Sequence, residues 1–295
     1  MERDLVMELK GVFTAIVTPF NKGAVDFGKL KELVEMQIAA KIDGLVPVGT
    51  TGESPTLSIE EHMEVIETVI NTAKKRCLVI AGTGANSTAE AIELTESAKK
   101  VGADASLQVT PYYNKPTQEG LYRHFSIIAE KGGLPIVLYN VPGRSGVAIG
   151  VDTIARLSKN QNVIAVKEAG GSVERVSAIL DECDITVLSG DDSLTIPMMA
   201  VGAKGIISVA SNVIPAEIKK MVDAFAKGNV AEAMDLHKKY YRLMKDLFIE
   251  TNPIPVKAAM AYMGLIEGEY RLPLCPMSEK NAQTLKDTMK RIGIL

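Results

Sequence analysis

At 295 residues the chain is long enough for one large domain or two ordinary ones, and α/β barrels of about 200–250 residues commonly form a single domain. Its 33 Lys and Arg stand against 36 Asp and Glu, a formal net charge of −3, with 46% apolar and 23% charged residues. That balance excludes an intrinsically disordered chain and argues against nucleic acid as the main partner. A chain of this length buries roughly three quarters of its unfolded surface, so a core needs no disulfide or metal to hold it. Cys77, Cys183 and Cys275 are far apart, odd in number and never in a C-x-x-C spacing, which fits a reducing, cytoplasmic setting. The start, MERDLVMELKGVF, mixes both charge signs and carries no signal-peptide core. The most apolar stretch, residues 195–218, is interrupted by Pro197, Gly202, Lys204, Gly205 and Pro215, whereas a membrane span needs about 20 nearly uninterrupted apolar residues. A soluble protein is expected.

Eight short apolar runs follow one another along the first three quarters of the chain: VFTAIVTPF, GLVPVGT, CLVIAGTG, ASLQVTP, PIVLYNVP, VIAVKEA, ITVLSG and GIISVAS. Being apolar throughout, they are expected as strands buried on both faces, the mark of a parallel sheet covered by helices. The segments between them have helical spacing. Residues 26–41 place Leu30, Leu33, Val34 and Ile38 on one face. Ser58 and Glu61 form a capping-box pattern ahead of a helix, and TAEAIELTESAKK after Asn86-Ser87 has its acids early and its lysines late. Eight strand–helix units predict an α/β fold, a closed (β/α)₈ TIM barrel, over an open doubly wound sheet. No G-x-G-x-x-G follows the first strand, and GTGANS, after the third, has Ser where the third Gly would stand. Beyond Ile214 only helices are expected, over residues 215–227, 230–250, 255–263 and 278–292. The first completes the eighth unit, so residues 1–227 are assigned to the barrel and 228–295 to a C-terminal helical subdomain.

Active sites of such barrels lie at the carboxyl ends of the strands. The residues predicted there are Thr50, Thr51 and Glu53 after strand two, and Tyr112, Tyr113 and Asn114 after strand four. Strand five ends in Tyr139, Asn140 and Arg144, strand six in Lys167, strand seven at Gly190, and strand eight carries Ser208. Lys167 is the sharpest of these. It follows Val163, Ile164, Ala165 and Val166 on a strand expected to be buried, and a buried ammonium must be paired or lose its proton. The neutral amine is a nucleophile suited to a Schiff base with a carbonyl, and the alternative is an ion pair with Glu168 or another acid. Tyr139, ending the neighbouring strand, is the best candidate for carrying protons to and from a carbinolamine through a hydroxyl relay; the alternative is a wedge between strand and loop. Arg144 in Pro-Gly-Arg-Ser-Gly suits a carboxylate, or is simply a surface arginine. His62, His124 and His237 fall in three separate predicted helices without metal-ligand spacing, so no metal site is expected. Asp191-Asp192 suggest a helix N-cap ahead of a magnesium site, and no nucleophile-elbow motif for serine hydrolysis occurs.

From about Gly11 to Leu295 the chain resembles the dihydrodipicolinate synthase family of pyruvate-dependent class I aldolases, which includes N-acetylneuraminate lyase. VGTTGES, TPYYNKP, LYNVPGRSG, VKEAGG, LSGDD and NPIPVKAAM stand in order and at family spacing. The resemblance implies an imine between Lys167 and pyruvate, with Tyr139 as central proton carrier hydrogen-bonded to Thr50 and to Tyr113 from a neighbouring subunit. Thr51 would hold the pyruvate carboxylate and Arg144 the carboxylate of aspartate 4-semialdehyde, while Gly190 and Ile207 would contribute backbone. It implies no external cofactor, small-molecule substrates only, and a homotetramer built as a dimer of dimers. A feedback site for lysine would fall on Ser54, Pro55, Ile59, His62, Asn86, Glu90 and Tyr112, where Ile59 replaces a histidine of some lysine-sensitive members. The competing readings are a sugar-acid aldolase like N-acetylneuraminate lyase, whose pattern has Ser-Thr in place of Thr50-Thr51 and lacks the arginine, and a catalytically silent barrel with a binding role.

Overall fold

Each of the eight apolar runs supplies one parallel strand of the computed structural model, which describes residues 7–295. The strands are β1 Gly11–Thr14, β2 Gly44–Leu45, β3 Leu78–Gly82, β4 Ala105–Val109, β5 Ile136–Asn140, β6 Val163–Glu168, β7 Thr186–Ser189 and β8 Gly205–Ser208. Each pairs with its sequence neighbour, and β1 also pairs with β8, so the sheet closes into the expected barrel. The charge-mixed start at residues 1–6, where no signal-peptide core was expected, lies outside the described residues.

Closure explains why the runs are apolar throughout. Successive side chains of a strand face opposite sides, and here both sides are interior. On β5, Ile136 and Leu138 pack outward against the helices, while Val137 and Tyr139 point into the barrel with Phe13, Ile80, Leu107, Leu188 and Ile207. One strand breaks the alternation. Ile136 is opposite Val163 but Val137 is opposite Ala165, so Ile164 is an extra residue, a β-bulge. Ile164 and Ala165 both face the interior as a result, and past the bulge Val166 points out and Lys167 points in.

The helices begin where the caps predict. Asp26 accepts from Lys29 N (2.8 Å) to start α1 Phe27–Ala39. The Ser58–Glu61 capping box is closed in both directions, 3.0 and 3.2 Å, ahead of α2 Ile59–Ala73. In α3 Thr88–Val101, Glu90 stands in the first turn and Lys99 and Lys100 in the last, and Gly102 ends the helix in the left-handed conformation. The outer ring continues with α4 Gln118–Lys131, α5 Pro142–Ser145, α6 Val151–Leu157, α7 Val173–Glu182, α8 Thr195–Ala200 and α9 Pro215–Ala226. Then come α10 Val230–Asp246, α11 Ile254–Tyr262 and α12 Glu279–Ile292.

Three expectations need correcting. The first run is strand only to Thr14; beyond it Ala15 N and Ile16 N still donate to Ser208 O (2.9 Å) and Val46 O (3.2 Å), but Ala15 O accepts from the Asn212 side chain (2.8 Å) and Val17 N donates to it (3.2 Å). Phe20–Asn21 then pairs with Ala24–Val25 as a separate antiparallel ribbon. The helix expected to reach residue 250 stops at Asp246, and the chain from Phe248 to Asn252 instead walls a cavity at the barrel mouth. Arg144, expected in a loop, lies on the four-residue α5.

Phe13 is fully buried inside the barrel. Phe13→Ala should lower the unfolding free energy by about 3–5 kcal/mol, read from the denaturant midpoint at unchanged slope.

Candidate active site

The bulge in β6 brings Lys167 beside Tyr139, its register partner on β5, with Nζ 4.2 Å from the tyrosine ring centroid. Lys167 is 6% exposed and faces a cavity of about 610 Å³ that Thr51, Tyr139, Arg144, Gly190 and Asn252 also line. Among the described residues no ion pair includes Lys167, so the alternative of a bond to Glu168 is overturned. Glu168 points the other way. It is fully buried and accepts from Asn140 Nδ2 (2.8 and 3.0 Å), Arg175 Nε (2.9 Å) and Gly170 N (2.8 Å). That network anchors the end of β6 from outside. Gly190 makes room from β7, because a Cβ there would sit 3.1 Å from Lys167 Cε and 2.7 Å from Ala169 Cβ.

The turn after β2 carries Thr50 and Thr51, closed by bonds from Gly52 N to Gly49 O (3.1 Å) and from Glu53 N to Thr50 O (3.2 Å). Thr51 is buried, and its Oγ1 accepts from Asn252 Nδ2 (3.0 Å). Asn252 O accepts in turn from Arg144 Nη2 (3.1 Å), while its buried Oδ1 has no partner among the described residues. One residue thus ties the predicted holders of two carboxylates together. Thr110 clamps the Tyr139 carbonyl through its N–H (2.9 Å) and its Oγ1 (2.8 Å).

The predicted relay is not joined within one chain. No hydrogen bond among the described residues links Thr50, Tyr113 and Tyr139; Thr50 and Tyr139 line a common cavity without a direct bond. Tyr113 lines neither cavity; it is 93% exposed, on a backbone at φ +72°. Ile207 is fully buried between the strands, and it is Val209, two residues on, that lines the Lys167 cavity. Asp191 caps the turn 192–194 by accepting from Ser193 N (3.1 Å). Asp192 has a different part. It is buried and accepts from Ser208 Oγ, Val209 N and Ala210 N, and burial pushes its carboxyl up despite these donors.

A second cavity of about 470 Å³ shares Tyr139, Val141 and Arg144 with the first. It gathers most of the predicted lysine set: Ser54, Pro55, Ile59, His62, Glu90 and Tyr112. Asn86 stays outside its lining and instead donates to Tyr112 O (3.1 Å) while its carbonyl accepts from Asn114 (2.8 Å). His62 Nε2 donates to Gly82 O (2.9 Å), and burial lowers the imidazole pKa, outweighing that bond, which raises it. The three histidines stand on separate helices, and among the described residues no group of three or more His, Cys, Asp or Glu could hold a metal ion.

With this geometry established, likeness to known proteins carries weight. Residues 8–292 match the Dihydrodipicolinate synthetase family. The chain belongs to that family. It is 55% identical over 288 residues to a 4-hydroxy-tetrahydrodipicolinate synthase of Geotalea daltonii, covering 97% of this chain and 99% of that one. The solved 4-hydroxy-tetrahydrodipicolinate synthase of Methylacidiphilum fumariolicum SolV superposes with a TM-score of 0.95 at 52% identity, over 97% and 96% of the two chains. A dihydrodipicolinate synthase of Acinetobacter baumannii, complexed with pyruvate, gives a TM-score of 0.95 at 47% identity over 98% and 100%.

The residues that sequence reasoning left without a role are Asn252, Lys257, Arg175 and Arg271. Asn252 and Lys257 lie in NPIPVKAAM, and a lone lysine in the apolar helix IPVKAAMAY is the same signal that singled out Lys167. Arg271 donates to both carboxylate oxygens of Glu61 (2.6 Å each), bolting the C-terminal segment to the start of α2, and it holds the Glu61 carboxyl down at about 2. A carboxyl depressed in the folded state contributes stability that is complete above its unfolded pKa and lost as pH falls through the folded value. Glu61→Gln, which keeps the capping box, should therefore lower the thermal midpoint at about pH 6, by a difference that shrinks as pH falls towards 2 and vanishes below it. A difference that stays constant across that window would show that the charge pair is not its source.

Proposed function

We propose that this chain condenses pyruvate with L-aspartate 4-semialdehyde, the 4-hydroxy-tetrahydrodipicolinate synthase reaction of lysine and diaminopimelate biosynthesis. The observation that carries the chemistry is a lysine held inside a barrel mouth with no carboxylate partner among the described residues, beside a tyrosine and facing a cavity that also reaches Thr51 and Arg144. Family membership at 55% identity and nearly full coverage supports the choice of reaction.

In this reading the Lys167 amine attacks the pyruvate carbonyl and water leaves, forming an imine. The imine withdraws electrons, so the methyl group loses a proton and the enamine carbon attacks the aldehyde of the second substrate. The amino group of the semialdehyde then adds to the imine carbon and releases Lys167. Every atom transferred comes from the two substrates, so no cofactor is required. Tyr139, 6% exposed at the strand end, is the proton carrier nearest the amine. Thr51 offers its hydroxyl proton to the pyruvate carboxylate while its oxygen accepts from Asn252. Arg144, exposed on its rim, meets the carboxylate of the semialdehyde with the guanidinium edge not bonded to Asn252. The ring of Tyr113 has no use within its own chain, and we assign it to the relay of a second copy, in a dimer of dimers. We assign the chain up to residue 227 to the catalytic barrel and residues 228–295 to an extension that contributes Asn252 to the site. The three free cysteines are in keeping with a cytoplasmic enzyme, and no helix among the described residues is long and apolar enough to cross a membrane.

Borohydride reduction with pyruvate should attach a pyruvate-derived group at Lys167, located by peptide mass. Lys167→Ala should abolish labelling and lower kcat by at least roughly 10³-fold; labelling elsewhere removes the assignment. Arg144→Ala should raise KM for the semialdehyde by roughly 10–100-fold while borohydride trapping of pyruvate persists. Free lysine, the end product, is the ligand assigned to the second cavity. A rate unchanged up to millimolar lysine would remove that assignment alone.

A further inference from the structure

Lys257 on α11 and Glu53 in the turn after β2 are both fully buried, and Nζ donates to Glu53 Oε1. The same ammonium lies 4.2 Å from the Phe20 ring centroid and 5.4 Å from that of Tyr270, so the early ribbon, the β2 turn and the C-terminal segment all meet at one cation. Burying such a pair is a poor way to gain stability, since apolar replacements of like volume are often neutral or stabilising. Its location suggests another use. Glu53 holds a left-handed backbone at φ +55°, a conformation a non-glycine residue keeps only when its surroundings impose it. It lies two residues beyond Thr51, in the turn where Glu53 N donates to Thr50 O. The segment that supplies Lys257 also supplies Asn252 to Thr51 Oγ1 and Arg271 to Thr56 O and Glu61. The turn is therefore held at successive points by one stretch of chain, and only the Lys257 contact is both fully buried and charged.

We propose that the Lys257–Glu53 pair positions the turn 49–53 so that Thr51 meets the substrate carboxylate, making Lys257 a positioning residue of the active site rather than a stabiliser of the fold. This rests on the reading of the site given above. Lys257 touches no substrate. It acts through Glu53 and the backbone of the turn, where a displacement of an ångström at Thr51 is enough to change binding.

The test is the double variant Lys257→Met with Glu53→Gln, which keeps both volumes and leaves no unpaired charge. It should fold with a thermal midpoint close to that of the parent, while KM for pyruvate rises roughly tenfold and trapping at Lys167 by borohydride is recovered at saturating pyruvate. Glu53→Gln alone, which keeps an acceptor for Nζ, should raise KM roughly threefold and is read in its place if the double variant does not fold. A folded variant with parental KM overturns the proposal, as does failure of both variants to fold, which would make the pair a stabiliser. If the parent itself is not trapped by pyruvate, the reading of the site fails and this inference with it.

Discussion

A strand shows its side chains to alternate faces, so a single extra residue decides which side of the barrel every later residue occupies. In β6 that residue is Ile164. Without it the alternation that begins with Val163 facing out would turn Lys167 toward the helices and Glu168 into the barrel, an acid in place of the amine. With it, Lys167 enters the interior next to Tyr139, and Glu168 falls among Asn140, Arg175 and Gly170, which satisfy both its oxygens. The remaining parts of the site are arranged around this parity. Gly190 leaves out the Cβ that would collide with the lysine chain, Thr110 holds the Tyr139 peptide, and the strand ends point Thr51 and Arg144 at the same space.

The two buried lysines show how surroundings assign chemistry to one side chain. Lys257 is enclosed by a carboxylate and two aromatic rings; burial lowers its pKa and Glu53 works in the opposite direction. Such an ammonium has no open face and nowhere for a carbonyl carbon to approach. Among the described residues Lys167 stacks on one aromatic ring and pairs with no carboxylate, and it has a cavity in front of it. A nucleophile needs that open side as much as it needs burial.

Much of this was legible in the sequence because it depends on local patterns. Apolar runs ending in polar turns marked all eight strands, and the strand ends named Lys167, Tyr139, Thr51, Arg144 and Gly190, which the structure brings to one cavity. The run lengths were less legible, since Asn212, nearly 200 residues away, takes over Ala15 O and Val17 N at the end of the first strand. The bulge was also invisible, because VIAVKE is apolar at each position that could face either way. The contribution of Asn252, Lys257 and Arg271 escaped because it is made across some 200 residues of chain, and no periodicity reports a contact of that span. Helical spacing identified α10 to α12 as helices but said nothing of the segments between them, where Asn252 and Arg271 lie.

Tyr139, Val141 and Arg144 belong to the walls of both cavities. A ligand in the second cavity therefore borders Tyr139, the proposed proton carrier, and the arginine assigned to the second substrate, with no chain of intermediates needed to connect the sites. Coupling between two binding sites is reciprocal: whatever factor an amino acid in the second cavity imposes on pyruvate affinity, pyruvate imposes on the amino acid. The direction of that coupling depends on which arrangement of Tyr139 and Arg144 the ligand favours. Arg144 is the freer of the two, exposed and held by one bond to Asn252 O, whereas Tyr139 is buried with its backbone clamped by Thr110. A ligand that drew the guanidinium toward the second cavity would loosen its bond to Asn252, and Asn252 is also the donor to Thr51. Occupation of one cavity would thus reach Thr51 and Arg144, the proposed carboxylate holders of the other, through a single asparagine.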